Sequence, residues 1–444
     1  MTRTVKSRLQ ASVAVVAILA QLAVFVAPAA AFCGFYVAQA NSRLFNKSSK
    51  VVLARNGQHT AITMASDYEG KPKEFAVVIP VPTFIERNQI NVVDSKTIDH
   101  LDSYTAPRLV EYFDEDPCAP KIAYKVAAVP APAGAMAPQL SALSYGGVKV
   151  EAQYDVAEYD ISILSAEQSD GLMRWLTDNG YRIPDGAEPV VGSYIKQKMH
   201  FFVAKVNADR MKELGRGYLQ PLQVRYDTAK FMLPLRLGTV NAKGAQDLVI
   251  YALTANGRVE ATNYRTMKVP SDVDVPLFVK DDFPNFYKAT FDRAVARENM
   301  SAVFVEYAWD MGWCDPCASE PMSGQELATL GADWSVGGND AANRRLMNAS
   351  GVNAFVTRLH VRYDATSFPE DLNFVETSDR DNFQGRYVLH HPSEAKTSCP
   401  ARETYRASLP ARFRQEAANL VNLTGWPEKE IAARMAANGQ QLSK

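Results

Sequence analysis

The residues whose type and spacing could do chemistry are Cys314 and Cys317. They close the β-branched and aromatic run Val303-Phe304-Val305-Glu306-Tyr307-Ala308-Trp309 and its continuation to Trp313. A Cys-x-x-Cys can act in three ways. As a dithiol, Cys314 would be the nucleophile on a disulfide and Cys317 the resolving thiol. As a bridge, local or to Cys33, Cys118 or Cys399, it would hold a loop. As half of a tetrahedral zinc site, Cys314 and Cys317 would need two more ligands, and Cys118, Cys399, His390 and His391 are the residues of suitable type. The chain has no second Cys-x-x-Cys and no pair of histidines at zinc-finger spacing, so no metal and no cofactor are expected. His390-His391 reads as a strand-end pair with one ring exposed. Asp315 sits between the cysteines and raises a neighbouring thiolate pKa. Pro321 and the capping box Ser323-Gly324-Gln325-Glu326 begin the next helix only after the pair, so no helix N-terminus assists Cys314. A structural disulfide is therefore the preferred reading, and no catalytic residue is assigned outside the redox alternative.

Other reaction signatures are missing. There is no Gly-x-Ser-x-Gly elbow, no His-Glu-x-x-His, no Gly-x-Gly-x-x-Gly and no P-loop. The start of the chain concerns address rather than chemistry. Arg3, Lys6 and Arg8 precede an apolar stretch from Ala11 to Val26, and Pro28-Ala29-Ala30-Ala31 supplies small residues where a signal peptidase reads. Residues 1–31 are thus expected to be a secretory signal cleaved between Ala31 and Phe32. No later segment has the roughly 18 uninterrupted apolar residues a spanning helix needs, so a periplasmic or secreted protein is expected. All five cysteines lie beyond that cleavage point, in what would be an oxidising compartment. Five is odd, and spacing alone does not choose the pairing. The chain has 48 basic and 49 acidic residues; without the signal's three basic residues the balance is 45 to 49, net −4. So mild a charge leaves no footprint for nucleic acid.

The elements that must position these side chains read as follows. Lys50–Arg55 and His59–Met64 flank Asn56-Gly57 as a β-hairpin. Phe75–Pro82 is a strand whose continuous apolar run predicts burial on both faces. Asp94–Phe113 reads as helix, kinked or divided at Pro107. An Ala/Pro/Gly-rich stretch, 127–147, reads as a linker or long loop between an N-terminal region, 32–126, and a main region, 148–402. Val148–Leu164 is strand-like, and Ser165-Ala166-Glu167-Gln168 is a capping box for a helix carrying Leu172, Trp175 and Leu176 and ending at Asn179-Gly180. Phe201–Val206 is a strand. Asp247–Thr254 and Arg258–Ala261 flank Ala255-Asn256-Gly257 as a second hairpin. Asp282–Glu298 is helical, Ala302–Tyr307 is a strand, and 403–444 forms C-terminal helices broken at Pro427. One short motif recurs: Leu222-Gln223-Val224-Arg225-Tyr226-Asp227 and Leu359-His360-Val361-Arg362-Tyr363-Asp364. Its aspartates, Asp227 and Asp364, read as turn-closing Asx residues ahead of catalytic carboxylates.

Several stretches together resemble one family. They are Phe32–Ala38, Lys73–Thr83, Ile98–Leu101, Ala106–Tyr112, Trp313–Cys317 and Leu359–Phe374. The chain resembles the bacterial domain-of-unknown-function 2330 family over nearly all of its mature length. That resemblance implies an exported bacterial protein with no established reaction and no catalytic residues to carry over. Trp313-Cys314-Asp315-Pro316-Cys317 after an apolar strand also resembles the active-site segment of thioredoxin-fold oxidoreductases. The chain departs from that pattern at Asp315, at the late helix start, and at Gly351–Thr357, which lacks the cis-proline.

The sequence thus predicts an α+β protein of predominantly antiparallel, sandwich-like sheets with inserted and C-terminal helices. Its expected role is non-catalytic: a disulfide-stabilised cell-envelope binding or structural protein, with a cell-envelope protein as the kind of partner, no nucleic acid and no transmembrane segment after cleavage. The alternative is a periplasmic thiol-disulfide oxidoreductase using Cys314 and Cys317. A non-reducing peptide map, with thiols alkylated before and after a gentle reductant, separates the two. A structural Cys314 or Cys317 bridge stays closed, whereas a catalytic pair opens and alkylates at once.

Overall fold

A computed structural model of the chain describes residues 29–30, 35–39, 45–69, 75–119, 149–183, 185–215, 218–240, 244–313, 315, 320–336 and 352–442. Cys33, Cys314, Cys317, the 127–147 stretch and the signal up to residue 28 lie outside them. The largest sheet runs, edge to edge, through Arg265–Lys268, Ala302–Asp310, Phe355–Tyr363, Gln246–Thr254, Phe45–Asn56, His59–Glu69, Leu222–Asp227 and Ile90–Val92. Short strands Ala29–Ala30 and Phe383–Gln384 attach beside it. Neighbours along this path are antiparallel except where Gln246–Thr254 meets Phe45–Asn56 and where Arg265–Lys268 meets Ala302–Asp310. The expected first hairpin is there: Asn56 pairs with His59, and Gly57 opens the two-residue loop at φ +58°. Strands from residues 45–92 and from 222–363 interleave in this one sheet.

A second, wholly antiparallel sheet orders Tyr181–Arg182, Phe35–Gln39, Phe75–Val81, His200–Val206, Tyr159–Ser165 and Lys149–Val156. The two sheets share a core. Val51, Leu53, Ile62 and Ile250 of the first meet Val77, Ile79, Ile163 and Phe202 of the second. On the outer face of the second sheet, Ala76, Val78, Phe201 and Val203 pack against Leu172, Leu176, Val191 and Tyr194 of helices Ser169–Asp178 and Ala187–Lys196. That accounts for the unbroken apolar run, which over 76–81 is buried on both sides. On the outer face of the first sheet, Val52, Tyr251 and Leu253 pack against Ile98 and Leu101 of helix Ser95–Thr105 and Leu327 of helix Gly324–Thr329. The capping box expected at Ser323 is formed: Ser323 and Glu326 cap each other's backbone. Gly331, at φ +104°, closes that helix where a Cβ would lie 2.3 Å from the Ala61 Cβ, so only glycine fits.

A small parallel sheet of Val273–Asp274, Arg386–His391 and Arg108–Phe113 is covered by helices Phe283–Arg297, Pro400–Thr424 and Glu428–Ala437. The architecture is therefore α+β with mostly antiparallel packed sheets, as expected. Among the described residues no helix is long and apolar enough to cross a membrane.

Three local expectations are corrected. The predicted helix 94–113 is a helix only over Ser95–Thr105; Ala106, before Pro107, is extended at φ −63° and ψ 146°, and Arg108–Phe113 is a strand. The predicted cap at Ser165 is not used. Ser165 stays in its strand, donating to Glu151 Oε1 at 2.8 Å, and the helix opens at Ser169 behind Gln168. The predicted hairpin around Ala255-Asn256-Gly257 does not form. Gln246–Thr254 already has Phe355–Tyr363 and Phe45–Asn56 on its two edges, so Val259–Ala261 pairs instead with Leu372–Glu376.

Cys118 and Cys399 form a disulfide across 281 residues of sequence. It ties the segment after Arg108–Phe113 to the N-terminus of the long helix Pro400–Thr424. Cys399→Ser is expected to lower unfolding stability by about 2–5 kcal/mol, read by denaturant titration, because the unfolded chain regains the freedom that a long closed loop removes.

Candidate functional site

The site grows from one irregular strand. Within Ala302–Asp310, Val305 pairs with Leu359 and Tyr307 with Arg358, so Glu306 is the extra residue of a β-bulge. Bulges re-aim side chains, and this one sets a carboxylate beside Arg358 and His360 of the neighbouring strand. Alternation puts Arg358, His360 and Arg362 on one face of Phe355–Tyr363, with Tyr251, Val249 and Asp247 opposite them on Gln246–Thr254. Helix Ser95–Thr105 covers one end of this face and helix Phe283–Arg297 the other.

The charges alternate along the face. Lys50 Nζ lies 2.7 Å from Asp102 Oδ2. Arg358 donates through Nη1 to Asp102 Oδ1 and through Nε to Glu306 Oε2, both at 2.6 Å. Glu306 Oε1 faces His360 Nδ1 at 2.7 Å and accepts from the Tyr287 hydroxyl. Arg362 grips Asp247 through Nε and Nη2, at 2.7 and 2.8 Å, and Asp292 through Nη1 at 2.6 Å. Lys288 closes the series on Asp292 at 2.7 Å.

Isolated charges at this depth would be prohibitive; paired and hydrogen-bonded ones are tolerated. Glu306 has no exposed surface. Burial pushes its pKa up, but the charges of His360 and Arg358 and the hydrogen bonds from His360 and Tyr287 outweigh that and hold it at about 2. Asp102 follows the same pattern. Burial raises it, and Arg358, Lys50 and the Tyr251 hydroxyl bring it down to about 2. Arg358 is driven up: burial disfavours its charge, but Tyr251, Glu306 and Asp102 more than restore it.

The far end of this face opens into a pocket of about 450 Å³ lined by Asp247, Tyr287, Lys288, Phe291, Asp292, His360 and Arg362. The Phe291 ring stacks on His360, centroids 3.7 Å apart and planes within 6°. With Nδ1 turned to Glu306, His360 presents Nε2 toward Asp247, 3.7 Å away. The pocket wall thus carries two carboxylates, two cations, an oriented imidazole and an aromatic plane.

Of the residues singled out from the sequence, those among the described residues lie elsewhere. Of the five disulfide candidates, Cys118 and Cys399 are joined, and Cys33, Cys314 and Cys317 lie outside the described residues. Asp315, between the last two, is buried and accepts from the Tyr307 hydroxyl at 3.2 Å and Gln384 Nε2 at 2.8 Å. His390 and His391 end the strand Arg386–His391 and pair separately, His390 with Asp274 at 3.3 Å and His391 with Glu111 at 2.8 Å. Among the described residues no three His, Cys, Asp or Glu groups gather as a metal site. Asp364 accepts from the Thr366 and Ser367 amides at 2.9 and 2.7 Å, an Asx turn, and Asp227 pairs with His59. The two copies of the repeated motif lie in the same sheet, and their arginines reach separate acids, Arg225 to Asp333 and Arg362 to Asp247.

A family described as "Uncharacterized protein conserved in bacteria (DUF2330)" matches residues 27–375, and the chain belongs to it. No curated protein and no solved structure matches the chain. The family match contains the whole ionic face and Cys118; it ends before Cys399 and the C-terminal helices.

Both buried acids have folded pKa values below their ordinary ones of 4.5 and 3.8. Their contribution is complete above about pH 4.5 and is lost as pH falls through about 2. Glu306→Gln, which leaves the buried Arg358 with Asp102 as its one acid, is expected to cost roughly 3–5 kcal/mol at pH 7 and to flatten that acid limb, measured by denaturant unfolding at a series of pH values.

Proposed function

We propose that the protein is an exported, disulfide-braced cell-envelope protein with a non-catalytic binding role, and that its ligand enters the pocket beside His360. One observation carries the reading. The ionisable groups along the face that leads to the pocket are pinned far from neutrality, with Glu306 and Asp102 at about 2 and the Arg358 guanidinium stabilised. Groups that move protons in catalysis are tuned toward the working pH instead. A pinned network holds its neighbours still, as a preorganised binding surface requires. Export is supported by the signal-like N-terminus, and a bridge of this span suits an oxidising compartment.

The pocket's charges balance, Asp247 and Asp292 against Lys288 and Arg362. A small zwitterion matches such a wall: its carboxylate meets Lys288 and Arg362, its ammonium meets the two aspartates, and its apolar part lies on Phe291 and Pro284. The competing redox reading of Cys314 and Cys317 has the buried carboxyl of Asp315 against it, since a carboxylate there disfavours a thiolate.

Thermal unfolding with a panel of free amino acids tests the binding reading. At 100-fold excess over Kd a ligand adds about 2.7 kcal/mol. The expected result is a stabilising amino acid whose effect Lys288→Ala, at an exposed position, abolishes. A panel that leaves the wild-type Tm unmoved, together with a Cys314–Cys317 pair that turns over a model disulfide, would replace this reading with the redox one.

A further inference from the structure

The C-terminal helices carry another buried carboxyl, and its surroundings are the reverse of those around Glu306. Helix Pro400–Thr424 lays Phe413, Ala417 and Leu420 into an apolar seam with Ile431 and Met435 of helix Glu428–Ala437, Phe286 of helix Phe283–Arg297, and Tyr387 and Leu389 of the parallel sheet. Glu416 lies in that seam at 1% exposure. Its Oε2 accepts from Gln440 Nε2 at 2.7 Å, and Gln440 Oε1 in turn accepts from the Leu277 amide at 2.9 Å. Its Oε1 has no hydrogen-bond partner among the described residues.

The nearest cation does not make good the deficit. Arg412, one turn earlier, holds Nε 3.4 Å from Glu416 Oε1 without a hydrogen bond, because its Nη1 is committed to Asp114 at 2.6 Å. Asp114 also accepts from the Tyr405 hydroxyl. The other charges around the seam are placed as follows. Asp274 of the parallel sheet and Asp114 both repel a second anion, and His390 sits beside each, at 3.3 and 3.9 Å. Arg293 and Arg297 of helix Phe283–Arg297 are spent on Asn422, and Arg434 of the last helix on Asp282. An ionised Glu416 is therefore buried with one amide donor and an imperfect ion pair, which is costly; a neutral one is not.

We propose that the C-terminal helix pair is a tethered cover operated by pH, closed over the parallel sheet while Glu416 carries a proton and loosened when it ionises. Burial is the main force against its charge. Arg412 and Gln440 oppose it only in part, Asp274 and Asp114 add to it, and the carboxyl rises from 4.5 to about 7. The sign follows. A folded pKa above the unfolded one favours the closed form at acid pH; closure weakens as pH rises from about 4.5 and has lost its full increment above about 7. The Cys118–Cys399 bridge stands at the N-terminus of the long helix, so opening frees the distal helix while the first turn stays attached. This device is independent of what the pocket binds.

Hydrogen exchange by mass spectrometry on the oxidised full chain, at pH 5.5 and 8.5 and corrected for intrinsic rates, tests it. Peptides spanning 413–437 are expected to open roughly 10–100-fold more at the higher pH, while the central strand Gln246–Thr254 stays equally protected. E416Q, which keeps the Gln440 contact without the charge, is expected to remove the difference; H390Q, which removes the neighbouring titratable ring, is expected to leave it. Equal pH dependence in E416Q and wild type overturns the proposal. If E416Q fails to fold, the wild-type pattern decides: a pH effect spread evenly over central strands and helices overturns it, and one confined to 413–437 upholds it.

Discussion

The ion pair between Glu306 and Arg358 is the constraint around which the rest of the large sheet is arranged. A carboxylate with no access to water survives only if its partners are fixed before it is buried. The partners come from three separate parts of the chain: Arg358 and His360 from one strand, Tyr287 from a helix, and, through Arg358, Asp102 from another helix. The bulge at residue 306 makes the geometry possible, since in regular register the carboxyl would share its face differently with Val305 and Tyr307. Helices 95–105 and 283–297 are thus docked onto the sheet by specific polar contacts at the same places where their apolar faces pack. Apolar packing alone tolerates small slips; a bidentate Arg362–Asp247 pair and an Arg358 shared by two acids do not.

Two of the buried glutamates, Glu306 and Glu416, show what the same side chain does in opposite company. Glu306 has a guanidinium, an imidazole and a hydroxyl as partners, and they outweigh burial and keep it charged. Glu416 has one amide and an arginine committed elsewhere, and burial works against the charge. The first makes the sheet indifferent to pH above the acid range. The second makes the helical cover responsive near neutrality, in the portion of the chain that extends past the family match.

Much of the fold was legible in the sequence because it rests on local chemistry. Asn56-Gly57 makes a hairpin, the apolar run is buried on both faces over 76–81, and Ser323 with Glu326 caps a helix. The failures have a common cause. Pro107 does break its helix, but the cap expected at Ser165 and the hairpin expected at Ala255-Asn256-Gly257 do not form, and at all three places strand pairing decides the outcome. The site was missed for a related reason. Attention fell on Cys314 and Cys317, whose spacing is a motif, whereas Glu306, Arg358, His360 and Arg362 have no motif. Their one signal was period: Arg358, His360 and Arg362 alternate with Leu359, Val361 and Tyr363, which places three ionisable groups on one face of a strand otherwise apolar enough to be central. Glu306 interrupts an apolar run in the same way. No sequence period could have shown that Asp102 and Asp247 meet them.

The span of the Cys118–Cys399 bridge bears on how the molecule comes into being. A chain made from its N-terminus presents the first of these sulfurs early and the second only when nine-tenths of the polypeptide has been made. Until then the earlier thiol has no native mate, and the sheets must assemble without covalent help. The bond is accordingly a mark of completion. A molecule truncated anywhere before residue 399 cannot form this bond, and its Cys118 lacks the partner that a finished one has.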